Sequence, residues 1–254
     1  MRYSTTLINS LDDNQKKLKR SIESCLDQDG ATIQIILSTV ENDPSIQTAK
    51  KISKDIDIVI NEKPSIYGQI NNALPFVKYD WFSFFSGNDV ALKNKIRDEM
   101  DMCVGEKKVC YSSYYMLDKK LNAKEGLDKK NLRTISLPDY DYENHLGNNF
   151  ITDVSLIHKS ILEKYSPFKE KFDKFAFYDF WLRVAEGEGA SVFAYNNKLS
   201  WTYVIDKNSL CQSRFRDKKR KKKYKLYRKF MLSYHDGVEP VETFGEFKKL
   251  YGNV

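Results

Sequence analysis

The chain has 254 residues and a formal net charge of +7, with 41% hydrophobic and 13% aromatic residues. At about 150 residues per domain that allows one large domain or two small ones. Fifteen Phe, sixteen Tyr and three Trp argue for a buried core and against a solvated coil. No apolar run approaches the roughly 18–20 residues that span a bilayer. The N-terminus MRYSTTLINSLDD lacks the pattern of a secretory leader, so a soluble, intracellular protein is expected.

In chain order, Tyr3–Ile8 reads as a strand. The apolar spacing of Leu18, Ile22, Cys25 and Leu26 then predicts a helix over 13–28, with Asp12 or Asp13 as its cap. Thr32–Thr39 reads as a strand, Ile46, Ala49 and Ile52 mark a helix, and Asp57–Ile60 is a strand. Ile66–Leu74 reads as helix, Trp81–Phe85 as strand, and Leu92, Ile96 and Met100 place another helix. Strands that are apolar without alternation, separated by helices, imply a parallel sheet covered on both faces. Lys108–Tyr115 is a further strand, while 116–148 is polar and turn-rich and reads as a flap or insertion. Phe150–His158 is expected as strand, Tyr178–Glu186 as helix, and Ser191–Tyr195 and Leu199–Ile205 as strands.

A long basic helix over 214–234 closes the pattern. Residues 214–229 hold eleven Lys/Arg and one Asp, a net of +10, which leaves the rest of the chain at −3. Three readings stand for it: a solvated face, a cationic amphipathic helix on an anionic membrane surface, or a phosphate-binding stretch for nucleic acid. No recognised nucleic-acid module accompanies it, so nucleic acid is the weakest of the three.

Doubly wound sheets bind ligands outside the carboxyl ends of their strands, which singles out the loops Asn9–Asp13, Thr39–Asp43 and Ser86–Asp89. Neither a G-x-G-x-x-G nor a G-x-x-x-x-G-K-[ST] phosphate loop is present. Cys25, Cys103, Cys110 and Cys211 form no C-x-x-C pair, and no G-x-S-x-G elbow marks a nucleophile. The sequence Ser86-Gly87-Asn88-Asp89 admits two readings, a hard-cation site with oxygen ligands or a polar turn.

Several segments together resemble family 2 glycosyltransferases, the inverting nucleotide-sugar enzymes of GT-A fold. TLINSLDDNQKKLKRSIESCLDQ is similar to the family's opening strand and E-S-x-L-x-Q helix, through Glu23, Ser24, Leu26 and Gln28. NEKPSIYGQINNAL matches its next helix through Glu62, Ile66, Tyr67 and Asn71, and FFSGNDV stands in the place of the F-L-x-S-D-D metal motif. FYDFWLRVAEGEG resembles the acceptor-side helix through Asp179, Trp181, Leu182, Arg183, Ala185 and Gly187. LSWTYVIDKNSL resembles the closing strand through Tyr203, Asn208 and Ser209.

The resemblance implies an α/β, GT-A-like (Rossmann-like) fold: a mixed, mostly parallel sheet covered by helices over 1–212, with 213–254 as a basic helical extension. It implies transfer of a sugar from a nucleotide-diphosphate sugar, a UDP-sugar first, to a hydroxyl acceptor that is a glycan or lipid-linked. It also implies inversion, Mn2+ or Mg2+, and a cytoplasmic protein, peripheral at the inner face of a membrane if the basic helix binds there. Ser10, Leu11, Asp13, Thr39, Glu41, Tyr67, Asn71, Ser86, Gly87, Asn88 and Trp181 are the implied donor- and sugar-binding residues. Trp181 has the alternative of a core aromatic, and Arg183 that of pairing with a neighbouring acid.

Four departures shape these expectations. The family's V-D-D-G-S is Leu37-Ser38-Thr39-Val40-Glu41, so Thr39 or Glu41 must replace the missing Asp. Ser86 and Asn88 leave Asp89 as the loop's carboxylate metal ligand, and Asp206 stands where the family has a His that reaches the metal. The acid pair before the acceptor helix is Ala176-Phe177, which passes the catalytic base to Asp179. A degenerate sugar-nucleotide binder is the alternative that these departures carry, beside a basic binding protein for nucleic acid or a membrane surface.

Overall fold

In a computed structural model, residues 2–9, 14–118, 132–205, 218–235 and 241–251 are described. Ser10, Leu11, Asp13 and Asp206 therefore lie outside the described residues, as do Asp12 and residues 214–217. The first half follows the expected alternation: β1 (Arg2–Asn9), α1 (Gln15–Leu26), β2 (Ala31–Val40), α2 (Pro44–Ile52), β3 (Asp57–Asn61), α3 (Ile66–Ala73), β4 (Trp81–Ser86), a two-residue β5 (Val90–Ala91) and α4 (Lys95–Met102). The second half holds β6 (Val109–Asp118), β7 (Leu132–Ile135), α5 (Tyr142–Gly147), β8 (Leu156–His158), α6 (Lys159–Tyr165), α7 (Ala176–Glu188), β9 (Phe193–Ile205), α8 (Lys218–Leu232) and α9 (Phe244–Tyr251).

The strands form one sheet in the order β3-β2-β1-β4-β8-β6-β9-β5, with β7 paired to β6. β1 to β4 are mutually parallel, and β6 and β9 run the same way because both β4 and β6 pair antiparallel with β8. This is the mixed, mostly parallel sheet the resemblance implies. The carboxyl ends of six strands thus share one rim.

Neighbouring residues on these strands point to opposite faces, and both faces are covered. Leu7, Ile36 and Phe84 pack with Ile70 of α3 and with Phe177, Phe180, Trp181 and Val184 of α7. Ile8, Leu37 and Phe85 pack on the other side with Leu18, Ile22 and Cys25 of α1 and Ala49 of α2. This is why β1, β2 and β4 read as continuous apolar runs.

Three expectations are corrected. The 150–158 segment is strand only over Leu156–His158; Val154 still turns inward, but 150–155 joins no ladder. The two final strands are one, β9, because a bulge at Asn196–Leu199 against Ser112–Ser113 breaks the apolar pattern without ending the pairing. The described cap of α1 is Asn14, whose side chain accepts from the Lys17 amide.

Helix α7 is buried almost all round, which explains its near-continuous apolar sequence. One side meets the sheet. The other carries Tyr178 and Leu182, which pack with Phe172, Phe175, Phe230, Met231 and Phe247, so α8 and α9 close over it. No helix among the described residues is long and apolar enough to cross a membrane.

Candidate active site

The rim at the carboxyl ends of β1, β2 and β4 is polar and tightly braced. Asn9 ends β1 and donates through Nδ2 to the Gln69 side chain of α3. Ser38 Oγ donates to the Gln69 carbonyl at 2.9 Å, and Asn61 Nδ2 reaches Ser38 Oγ at 3.0 Å and the Thr39 carbonyl at 2.8 Å. Thr39 itself is fully buried, with its hydroxyl accepting from Ser45 Oγ at 3.2 Å. Glu41 sits exposed in the turn after β2.

Ser21 of α1 and the motif residues Ser24 and Gln28 hold the loop after β4. Ser21 Oγ donates to the Ser86 carbonyl at 3.1 Å, and the Gly87 amide donates to the Asn9 carbonyl at 3.1 Å. Ser24 Oγ accepts from the Ala91 amide at 3.0 Å. Gln28 donates to the Leu92 carbonyl at 3.0 Å and accepts from the Ile96 amide at 3.1 Å. The 86–92 segment is therefore fixed from both sides, as a preorganised ligand loop must be.

Within that loop Asp89 is buried, 5% exposed, and its Oδ1 accepts from the Val204 amide of β9 at 3.1 Å. Burial pushes its carboxyl up to about 7; the Val204 hydrogen bond and Arg20 oppose this, and the Asp153 charge adds to it. Asp153, which the sequence reading missed, has exposed surface in the turn before β8, yet the protein around its carboxyl desolvates it. That desolvation raises it to about 7 as well. Asp89 thus feels the Asp153 charge in addition to its own burial, and both carboxyls are held back from ionising chiefly by desolvation. Beside Asp89, the Asn88 Oδ1 is buried without a partner among the described residues. Among those residues no three His, Cys, Asp or Glu side chains assemble into a metal cluster. Two carboxylates and an amide oxygen nonetheless suit Mg2+ or Mn2+, which usually complete their shell with water and substrate phosphates. The Asp89–Asp153 pairing depends on residues 64 apart in sequence, and no local pattern announces it.

The candidates on α3 and α7 are engaged differently. Tyr67 is buried and meets the Phe177 ring edge-on at 5.9 Å. Asn71 braces the chain before α7: its Nδ2 donates to the Phe168 carbonyl at 2.9 Å and its Oδ1 accepts from the Phe168 amide at 2.8 Å. Trp181 has no exposed surface and packs on Phe177 and Phe180, so the core reading fits it and a sugar platform does not.

Asp179 is likewise fully buried. Arg183 Nε donates to its Oδ2 at 2.8 Å, while Lys169 Nζ at 3.4 Å and His235 Nε2 at 3.2 Å face its Oδ1. His235 comes from the end of α8 and also contacts Glu186 at 2.7 Å through Nδ1. Burial alone would raise the Asp179 carboxyl, but the His235 hydrogen bond and the Arg183 and Lys169 charges outweigh it and hold it below the ordinary value. Burial would lower His235, yet its bonds to Asp179 and Glu186 carry it up to about 9. The pairing of Arg183 with a neighbouring acid, one of the sequence alternatives, is what the geometry has.

No family model and no curated protein sequence matches the chain. Solved structures do. The chain is similar to the S. aureus TarS 1-349 structure in complex with UDP over 100% of its own length and 70% of that chain, at 11% identity and a TM-score of 0.60. Of the longer S. aureus TarS structure it covers 42%, with a TM-score of 0.59 and 11% identity. Glucosyl-3-phosphoglycerate synthase from Mycobacterium tuberculosis, in complex with Mn2+, UDP and glucosyl-3-phosphoglycerate, matches over 94% of this chain and 81% of that chain, at 13% identity and a TM-score of 0.56. The fold is that of the GT-A glycosyltransferases.

Proposed function

We propose that the chain is a family 2-type glycosyltransferase that moves a sugar from a nucleoside-diphosphate sugar, with a UDP-sugar as the first choice, onto a hydroxyl acceptor with inversion. The observation that carries this reading is the rim loop 86–89. It is braced by α1 at the carboxyl ends of the parallel strands, with the Asp89 carboxyl under the charge of Asp153 and an Asn88 oxygen that has no partner among the described residues. The neighbours support it: TarS structures hold UDP or UDP-GlcNAc, and the synthase structures hold UDP or UDP-glucose with Mn2+ or Mg2+.

In this reading Asp89, Asp153 and Asn88, with Asp206 following β9 in sequence, hold a divalent ion. Such an ion supplies Lewis-acid neutralisation of the leaving diphosphate when bound. The chain's own residues do the remaining work. Asn9, Ser38 and Gly87 shape the nucleotide floor, and Ser10, Leu11, Asp13 and Glu41 are the further residues that this reading assigns to nucleotide binding. Proton removal from the acceptor hydroxyl falls to Asp179, which must first exchange its contacts with Lys169 and His235 for the acceptor.

That last requirement favours a second reading, a nucleotide-sugar-binding protein without transfer. Both Asp179 oxygens are engaged, and Phe177, at the place of the family's acid, lies in the core. The experiment is UDP release from UDP-sugars with Mn2+ and a panel of hydroxyl acceptors. Transfer in the wild type that falls by about 10²–10⁴ in Asp179→Asn, with donor binding retained, supports the enzyme reading. Donor binding with no UDP release by the wild type supports the second. Transfer that survives in Asp179→Asn moves the base to Asp173, an exposed carboxylate with a strained backbone φ of 48° beside α7.

A further inference from the structure

The lysine face of α8 has no part in glycosyl transfer as described. Its apolar side is spent on the body: Phe230 and Met231 are fully buried against Phe172, Phe175, Tyr178, Leu182 and Phe247. Tyr227 stacks on Phe244 of α9 with centroids 3.5 Å apart. Arg228 Nη2 donates to the carbonyls of Leu146 at 3.0 Å and Gly147 at 2.7 Å, at the end of α5. His235 locks the helix end to Asp179 and Glu186.

What remains outside is cationic. Lys222, Lys225 and Lys229 are exposed at spacings of 3 and 4, which puts them on one helix face. Lys248 and Lys249 of α9 are exposed too, and none of these five has an ion pair among the described residues. Next to them in sequence Leu250 is 64% exposed, an apolar tip flanked by lysines.

We propose that the lysine face of α8 docks the protein on an anionic lipid surface. Because the apolar stripe of α8 is packed inside, attachment is peripheral and electrostatic, without insertion of the helix. Nucleic acid is the poorer partner on the same observations. Single strands are held by aromatic platforms, and the rings of α8 and the turn after it are committed inward: Tyr224 to Phe175 at 4.8 Å, Tyr227 to Phe244, and Tyr234 to Phe172 at 5.0 Å.

The test is co-sedimentation of the full chain with phosphatidylcholine vesicles containing about one third phosphatidylglycerol, against pure phosphatidylcholine, at low and high salt. Binding is expected only to the anionic vesicles and is expected to disappear at high salt. The triple variant Lys222→Gln, Lys225→Gln, Lys229→Gln should partition about 100-fold more weakly, at roughly fivefold per lysine, with an unchanged melting curve. Equal binding to both vesicle types, no binding to either, or tighter binding to a random-sequence oligonucleotide than to the anionic vesicles at the same salt overturns the proposal.

Discussion

The Asp179 carboxylate faces Arg183, Lys169 and His235 at once, and this arrangement fixes what single substitutions there will do. Replacing it with Asn keeps the shape but leaves three cationic groups around a neutral amide. Breaking a buried ion pair from one side costs about 3–5 kcal/mol, so urea unfolding should show Asp179→Asn destabilised on that scale. A loss within a few tenths of a kcal/mol would mean that the cluster is solvated. The pH dependence follows from the same contacts. His235, raised to about 9, contributes stability that is complete below its ordinary value near 6.5 and is lost as pH rises through 9. Asp179 and Glu186, both lowered, contribute stability present above their ordinary values and lost as pH falls through the depressed ones. The melting temperature of the wild type should therefore fall more steeply between about pH 6.5 and 9 than that of His235→Gln, with the two curves running parallel above pH 9; parallel curves across the 6.5–9 window would remove His235 from the network.

At the level of elements, α7 is the piece that joins the sheet to the C-terminal hairpin of α8 and α9. Phe230, with no exposed surface, packs edge-on against Phe172 at 5.6 Å and tilted against Phe247 at 5.5 Å. Phe230→Ala should cost about 3–5 kcal/mol of that docking. Hydrogen exchange should show lost protection over 218–251 while β1, β2 and β4 keep theirs; uniform loss across the chain would show that the hairpin is part of the sheet's own folding unit. Elements of this kind also separate what was readable in the sequence from what was not. β1, β2 and β4 were legible because both sheet faces demand apolar residues, and α1 because its spacing follows 3.6. α6 and α9 are short amphipathic pieces whose partners, α7 and α8, are supplied by tertiary packing, so no local signal exposed them. The 150–155 stretch carries strand-like residues but spends Phe150 and Ile151 in the core beside α6 and α7 without a neighbouring strand to bond. For the site, loop 86–89 was legible from its place after an apolar strand, while the bond from Val204 to Asp89 and the approach of Asp153 and His235 depend on contacts across the fold.

In the molecule as a whole, one rim of the sheet is the proposed nucleoside-diphosphate site. A ligand present at 100-fold over its Kd stabilises by about 2.7 kcal/mol, which for a chain of this size is a shift of about 5–10 °C. The deciding measurement is the melting temperature of the wild type and of Asp89→Ala with UDP, with Mn2+, and with both. A shift of that size is expected in the wild type only when both are present, and is expected to disappear in Asp89→Ala, whose own melt stays cooperative. An equal shift in the variant, or none in the wild type with any UDP-sugar and either metal ion, would contradict that assignment.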